Sequence, residues 1–213
     1  MDPITSALRE HYAATFQEHG PTIRGVDWGT DEARLDLRYE KMAAVIEAGP
    51  AEPPSLLDVG CGFGGLLGYL EQHGIPVVYT GIDVVPRMVE HARQTFPEAS
   101  WEVGDIFAFI PEKPFDYVVC NGILTQKLTA TIPEMDAFAE RLIMKLFDLC
   151  RVGAAFNVMS TEVNYMVDNL YYRSPVELLA WCLAEVTPRV RLDHLYPPLH
   201  EYTMYLGRID PTP

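Results

Sequence analysis

The sequence contains no apolar run of the roughly 18 residues that a membrane-spanning helix needs, so no helical membrane span is expected. It is also short of cations: 16 Lys and Arg stand against 30 Asp and Glu, a formal net charge of −14. Non-specific nucleic-acid binding and docking on anionic lipid both depend on clustered cations. Neither a nucleic acid nor a membrane is therefore expected as a partner. The first residues, Met-Asp-Pro-Ile-Thr-Ser, lack both the basic and the apolar segment of a secretory signal. Cysteine is scarce, and Cys61, Cys120, Cys150 and Cys182 lie far apart, each in an apolar stretch. They lack the paired spacing of a zinc site, so no metal is expected. Buried free thiols in a reducing cytoplasm are the expectation. There is no internal repeat and no low-complexity tract.

What is present is globular. Hydrophobic residues make up 48% and charged residues 22% of 213, enough for one domain with its own core. The stretch Ala48-Gly-Pro-Ala-Glu-Pro-Pro54 concentrates helix breakers. It divides the chain into an N-terminal helical arm, residues 1–47, and a body, residues 48–213. The body alternates. Apolar runs at 55–59, 76–83, 100–105, 115–120 and 154–159 read as strands, separated by helical patterns at 65–73, 87–95 and 134–150. Ser174-Pro-Val-Glu177 reads as a capping box opening a further helix to about Val186. Two final strands, 190–196 and 202–207, are too close for a parallel crossover and must pair antiparallel. The pattern predicts an α/β, Rossmann-like, doubly wound and mostly parallel seven-stranded sheet, with helices on both faces and a C-terminal antiparallel hairpin.

The informative stretch is Leu56-Leu-Asp-Val-Gly-Cys-Gly-Phe-Gly-Gly65, a strand running through glycines into a helix. Gly60, Gly62 and Gly65 also satisfy the dinucleotide fingerprint, with Asp83 about 20 residues on. The glycines alone therefore leave a nicotinamide cofactor open. Asp58 points elsewhere. A pyrophosphate at a strand end wants N–H groups and positive potential, whereas a carboxylate there suits a cation such as the ammonium of S-adenosylmethionine.

The chain resembles the class I S-adenosylmethionine-dependent methyltransferases. Leu56-Leu-Asp-Val-Gly-Cys-Gly-Phe-Gly64 is similar to that family's first motif, Gly81-Ile-Asp83 to its second and Val103-Gly-Asp105-Ile106 to its third. The resemblance implies S-adenosyl-L-methionine as cofactor, S-adenosyl-L-homocysteine as product and methyl transfer as the activity. It implies that Gly60 and Gly62 lie under the methionine part and that Asp58 reaches its amino group. Asp83 would accept from the ribose hydroxyls and Asp105 from the adenine amino group, with the Ile106 N–H facing the ring. Asn121 and Gly122 would line the methyl-transfer end, and Cys61, Val84, Met88 and Gly104 complete the cofactor set. Asp83 and Asp105 have an alternative reading as strand-end helix caps. Cys61 and Cys120 flank the site and read as core fillers.

Small molecules are the default acceptors. Asn121 is followed by Gly-Ile-Leu rather than the Pro-Pro-aromatic run of family members acting on adenine or on glutamine amides. The expected activity is transfer to an oxygen or nitrogen of a natural-product or sugar-like metabolite, by a monomer or homodimer. A cofactor-consuming cyclase or lyase of the same fold, a silent cofactor-binding subunit and an NAD-dependent reductase are the rivals. The arm supplies a candidate lid. Ile4, Leu8, Tyr12 and Phe16 share a helical face, and Trp28 sits on the loop that follows. Tyr12 and Trp28, with Tyr165 and Tyr171 from a second aromatic cluster, are candidate substrate walls. Arg38, on a helix from about Asp31, is a candidate clamp for the cofactor carboxylate, or else pairs with nearby Asp36 or Glu40. Candidate bases are His11, Tyr12, His194 and His200, since histidine titrates near neutrality. Residue type alone selects none of them, because methyl transfer needs a base only when the nucleophile is protonated.

Overall fold

Strand β1 (Ser55–Val59) must be apolar on both faces, because a central parallel strand is covered on both sides. Its Leu56 and Leu57 are both fully buried, on opposite faces. In the computed structural model, which describes residues 1–46, 52–195 and 200–209, β1 lies between β2 (Val78–Asp83) and β4 (Phe115–Cys120), parallel to both. β3 (Ser100–Val103) extends the sheet beyond β2, and β5 (Cys150–Ser160) extends it beyond β4. β7 (Val190–Asp193) and β8 (Glu201–Gly207) run antiparallel to each other, with β8 inserted between β5 and β7. The order is β3-β2-β1-β4-β5-β8-β7, with the two-residue β6 (Tyr172–Arg173) parallel to the end of β5. This is the doubly wound, mostly parallel fold expected, with eight strands in place of seven. The additional strand is too short to leave a pattern in the sequence.

Helices fill both faces. α5 (Ile132–Leu149) opens with a reciprocal capping box between Thr131 and Glu134 and buries Leu142, Ile143 and Leu146 completely against one face. α6 (Pro175–Glu185) joins it on that face through Leu178 and Cys182. Ser174 caps α6 by accepting from the Glu177 N–H, but the reciprocal Glu177 contact is not part of the cap. The opposite face carries α3 (Gly65–Gln72), α4 (Pro86–Thr95) and Met42 of α2 (Glu32–Ala43). The strand expected over 190–196 is shorter, and its Tyr196 end lies outside the described residues, as do residues 47–51 at the arm's boundary.

The arm lies against the body. α1 (Pro3–His19) is capped by the Asp2 carboxylate and packs Phe16 against Val85 and Met88 at the start of α4. Asp31 caps α2. A crossing back from β3 to β4 reverses the strand order beside β1. In such sheets the crevice at the carboxyl ends of the strands, where the order reverses, is the ligand site.

Leu142→Ala would empty a fully buried position. It is expected to cost about 2–5 kcal/mol, read as a lowered midpoint in urea at unchanged slope.

Candidate active site

The β1–α3 loop needs three left-handed residues in a row of five. Gly60, Gly62 and Gly64 have φ of +77°, +55° and +89°. A side chain would be strained at each. At Gly60 it would also press on Ile123, and at Gly64 on Trp101. The loop is pinned by the Gly60 N–H donating to the Ile82 carbonyl at 2.8 Å. The Gly62 N–H donates to Asp83 Oδ2 at 2.9 Å, and the Val85 N–H donates to Asp83 Oδ1 at 2.8 Å. Burial raises the Asp83 carboxyl above the usual range, with these N–H donors opposing.

Asp58, one residue before the end of β1, is almost wholly buried and accepts a 2.5 Å hydrogen bond from the Tyr79 hydroxyl. Loss of solvent pushes its carboxyl up to about 7; the Tyr79 bond pulls it down and the charge of Asp83 adds to the rise. Asp105 caps a single 3-10 turn by accepting from the Phe107 N–H at 3.1 Å. The capping role weighed for it is thus present, and it leaves Oδ2 over.

These groups line one cleft, enclosing about 1020 Å³ including its open mouth. The structure brings together there Asp58, Gly60, Cys61, Gly62, Asp83, Val84, Met88, Gly104, Asp105, Ile106, Asn121 and Gly122, with Tyr12 and Trp28 from the arm. Two features ask for a ligand. The glycine loop presents backbone rather than side chains of its own to the cleft, and the buried Asn121 Oδ1 has no hydrogen-bond partner among the described residues. Such an orphaned acceptor is rare in a folded protein unless something else satisfies it. The Cys61 thiol is held far above its usual range by burial, then by Asp83 and Asp58, so it is inert.

At the far end, Gly122 has φ +92° and lies directly under the Trp28 indole; a Cβ there would fall 2.3 Å from Trp28. Its N–H donates to Asn157 Oδ1 at 2.8 Å, and Asn157 Nδ2 donates to Glu201 Oε2 at 2.7 Å. Glu201 in turn accepts from Arg38: Nε donates to Oε1 and Oε2 at 2.9 and 3.1 Å, and Nη2 also donates to Oε1. Arg38 therefore neither pairs with Asp36 or Glu40 nor lines the cofactor cleft. Its guanidinium stacks 4.0 Å over Trp28 and borders a second cavity on the other side of that ring.

Other candidates are placed elsewhere. Tyr171 is completely buried and donates to Asp136 Oδ1 at 2.6 Å, a core residue rather than a substrate wall. Tyr165 is exposed and lines neither cavity. His194 packs edge-on against Tyr202, away from both cavities. His11 contacts Asp27 Oδ2 at 2.8 Å beside the second cavity, and His200 borders that cavity. Burial, then the charge of Asp27, pushes the Tyr12 phenol up, so it stays protonated as a cleft wall. Sequence reasoning missed Tyr39, whose hydroxyl packs on Gly65, and Asn157. The signal for Asn157 was its polarity inside the otherwise apolar run of β5.

A family model described as a methyltransferase domain matches residues 56–142. The chain is 36% identical to the candidate methyltransferase Rv1506c of Mycobacterium tuberculosis, over 74% of this chain and 95% of the relative. Its fold matches magnesium protoporphyrin IX methyltransferase of Synechocystis with bound S-adenosylmethionine, at 15% identity and TM-score 0.69, covering 98% and 99% of the two chains. It also matches an S-adenosylmethionine-bound amino pentose methyltransferase of Micromonospora echinaspora, at 15% identity and TM-score 0.58, covering 93% and 97%. The chain belongs to the class I S-adenosylmethionine-dependent methyltransferase family.

Asp58 sets a stability profile. Its carboxyl moves from 3.8 to about 7 on folding, so the folded state is disfavoured progressively as pH rises between those values. Below them both states are protonated and nothing is lost. Asp58→Asn is expected to raise the cofactor-free melting temperature at pH 8 and to leave it nearly unchanged at pH 4, read by differential scanning calorimetry.

Proposed function

We propose that this enzyme transfers the methyl group of S-adenosylmethionine to an oxygen or nitrogen nucleophile of a small molecule in the cytoplasm, a natural-product or sugar-like metabolite. The observation that carries the reading is one cleft lined by the glycine loop, by three acids and by Asn121, whose Oδ1 has no hydrogen-bond partner among the described residues. Acids suit a cationic ligand, and a cradle without side chains suits one that lies against the backbone. All four cysteines are free and buried, in keeping with a reducing compartment.

The division of labour follows from what each group has left to offer. The Asp58 carboxylate takes the ligand's ammonium. Asp83 is already oriented by the Gly62 and Val85 N–H groups and takes the ribose hydroxyls on its remaining lone pairs. Asp105, turned by the Phe107 N–H, takes the adenine amino group, with the Ile106 N–H at the ring. Asn121 Oδ1 faces the positive end of the ligand. When bound, S-adenosylmethionine supplies a methyl group activated by a sulfonium. The chain then has to align the acceptor and exclude water, which is the larger part of the barrier in such a displacement. Tyr12 and Trp28 close the cleft over that end. Tyr12, held protonated, orients by donating; of the candidate bases only His200 borders the second cavity.

S-adenosylmethionine and S-adenosylhomocysteine are expected to raise the melting temperature, and NAD to leave it unchanged; a shift with NAD alone would sink the reading. Asp83→Ala is expected to weaken S-adenosylhomocysteine binding at least tenfold by calorimetry. Because the ligand's ammonium favours ionised Asp58, binding near pH 6.5 is expected to release a proton and affinity to fall below pH 7. Calorimetry in buffers of different ionisation enthalpy reads that release; its absence would remove Asp58 from the ammonium.

A further inference from the structure

Behind Trp28 lies a second cavity of about 570 Å³, its open mouth included, bordered by Asp27, Arg34, Arg38, Thr125, His200 and Glu201. Trp28 is the shared wall: it borders the cofactor cleft over Gly122 on one side and stacks on Arg38 on the other. A molecule in this second cavity is one indole away from the methyl-transfer end.

The hydrogen-bonding capacity left over in the cavity has one sign on its inner wall. Glu201 is consumed, its two oxygens accepting from Arg38 and Asn157. Asp27 Oδ2 is consumed by His11 at 2.8 Å and by Gln126 Nε2 at 2.9 Å, and Gln126 is itself held by Asn169 at 3.0 Å. Thr125 donates to the Gly122 carbonyl at 2.6 Å. Arg38 Nη1, by contrast, is buried and has no hydrogen-bond partner among the described residues. Arg34, one turn away on α2, pairs with the exposed Asp31 carboxylate through Nε at 3.2 Å, its one ion pair among the described residues. An unsatisfied buried guanidinium nitrogen costs several times what an ordinary hydrogen bond returns, so its persistence calls for an occupant. Guanidinium nitrogens match planar oxyanions in geometry and charge. Trp28 stacks on the guanidinium that carries Nη1. It is half-buried and set between Asp27 and Gly29, both in left-handed conformation with φ +56° and +80°. Aspartate and glycine are among the residues that adopt this conformation most readily.

We propose that the second cavity is the acceptor's subsite and takes a small molecule bearing an oxyanion, held by Arg38 Nη1 and Arg34 once Trp28 turns aside. The proposal rests on the methyltransferase reading above and narrows its acceptor to an anionic metabolite. The anion lies at the arginines and the nucleophile on the Gly122 side.

Calorimetry with S-adenosylhomocysteine, and then with small probes in its presence, tests this. Benzoate and phenyl phosphate are the anionic probes, benzamide the neutral one. Saturable binding of an anionic probe at least tenfold tighter than benzamide is expected, and the stronger of benzoate and phenyl phosphate identifies the oxyanion. Arg34→Gln and Arg38→Lys are each expected to weaken that probe at least tenfold. Arg34 is exposed and its loss leaves the core intact, so it decides the matter if the Arg38 variant fails to fold. Equal binding of benzoate, phenyl phosphate and benzamide, no binding of any, or an unaltered affinity in Arg34→Gln would overturn the proposal. If S-adenosylhomocysteine itself does not bind, the methyltransferase reading fails first; if it binds and the anionic probes do not, only this inference falls.

Discussion

The contact between Arg38 and Glu201 ties α2 to the last strand of the sheet, where the Tyr205 hydroxyl also donates to the Lys41 carbonyl. Arg38 stands on α2 of the arm, and Glu201 begins β8 at the antiparallel end of the sheet. Through Asn157 of β5, the same carboxylate reaches the N–H of Gly122, at the end of the cofactor cleft. One buried chain of charge-assisted hydrogen bonds therefore sets the arm, the last strand and the methyl-end loop in register. Such a pair adds little net stability over an apolar substitute, but removal of one partner strands a buried charge at a cost of about 3–5 kcal/mol. Its value lies in geometry: it fixes where Trp28 rests, and Trp28 divides the cofactor cleft from the second cavity.

The cleft turns an electrostatic liability into selectivity. Three carboxylates line one cleft beyond β1, β2 and β3, and burial withholds water from two of them, Asp58 and Asp83. Asp58 answers by rising to about 7, and Asp83 rises as well despite two N–H donors. A group held at this point gains most from an incoming cation, because the cation removes the penalty that burial imposed. The overall charge of −14 matters less to the site than where these acids lie. On the far side of Trp28, Arg38 Nη1 has no hydrogen-bond partner among the described residues, which is the ground for the anionic acceptor proposed above.

Much of this was legible in the residues. β1, β2 and β4 announce themselves as short apolar runs, and α5 by a clean helical stripe with its cap. Asp58, Asp83 and Asp105 could be placed in one cleft because parallel strands put all their carboxyl ends on one edge, whatever the loops between them do. Arg38 could not be placed. Its partner is 163 residues away, and the local alternatives, Asp36 and Glu40, were the natural ones to weigh. Tyr171 looked like a loop aromatic and is a core residue, because β6 pairs with β5 over too few residues to show a pattern. Asn157 was visible as the one amide in an apolar strand, but a buried amide does not say what it bonds.

By itself the sequence determined the doubly wound sheet, the glycine cradle and the acids around it. Each follows from local requirements: burial on both faces of a strand, φ beyond the reach of a side chain, a carboxylate at a strand end. Only the tertiary structure decided how the arm meets the body, which side of Trp28 receives Arg38, and which histidine borders a cavity. Those outcomes depend on pairings across the whole chain, where the energy lies in mutual desolvation and fit between surfaces, and no local pattern of residues encodes them.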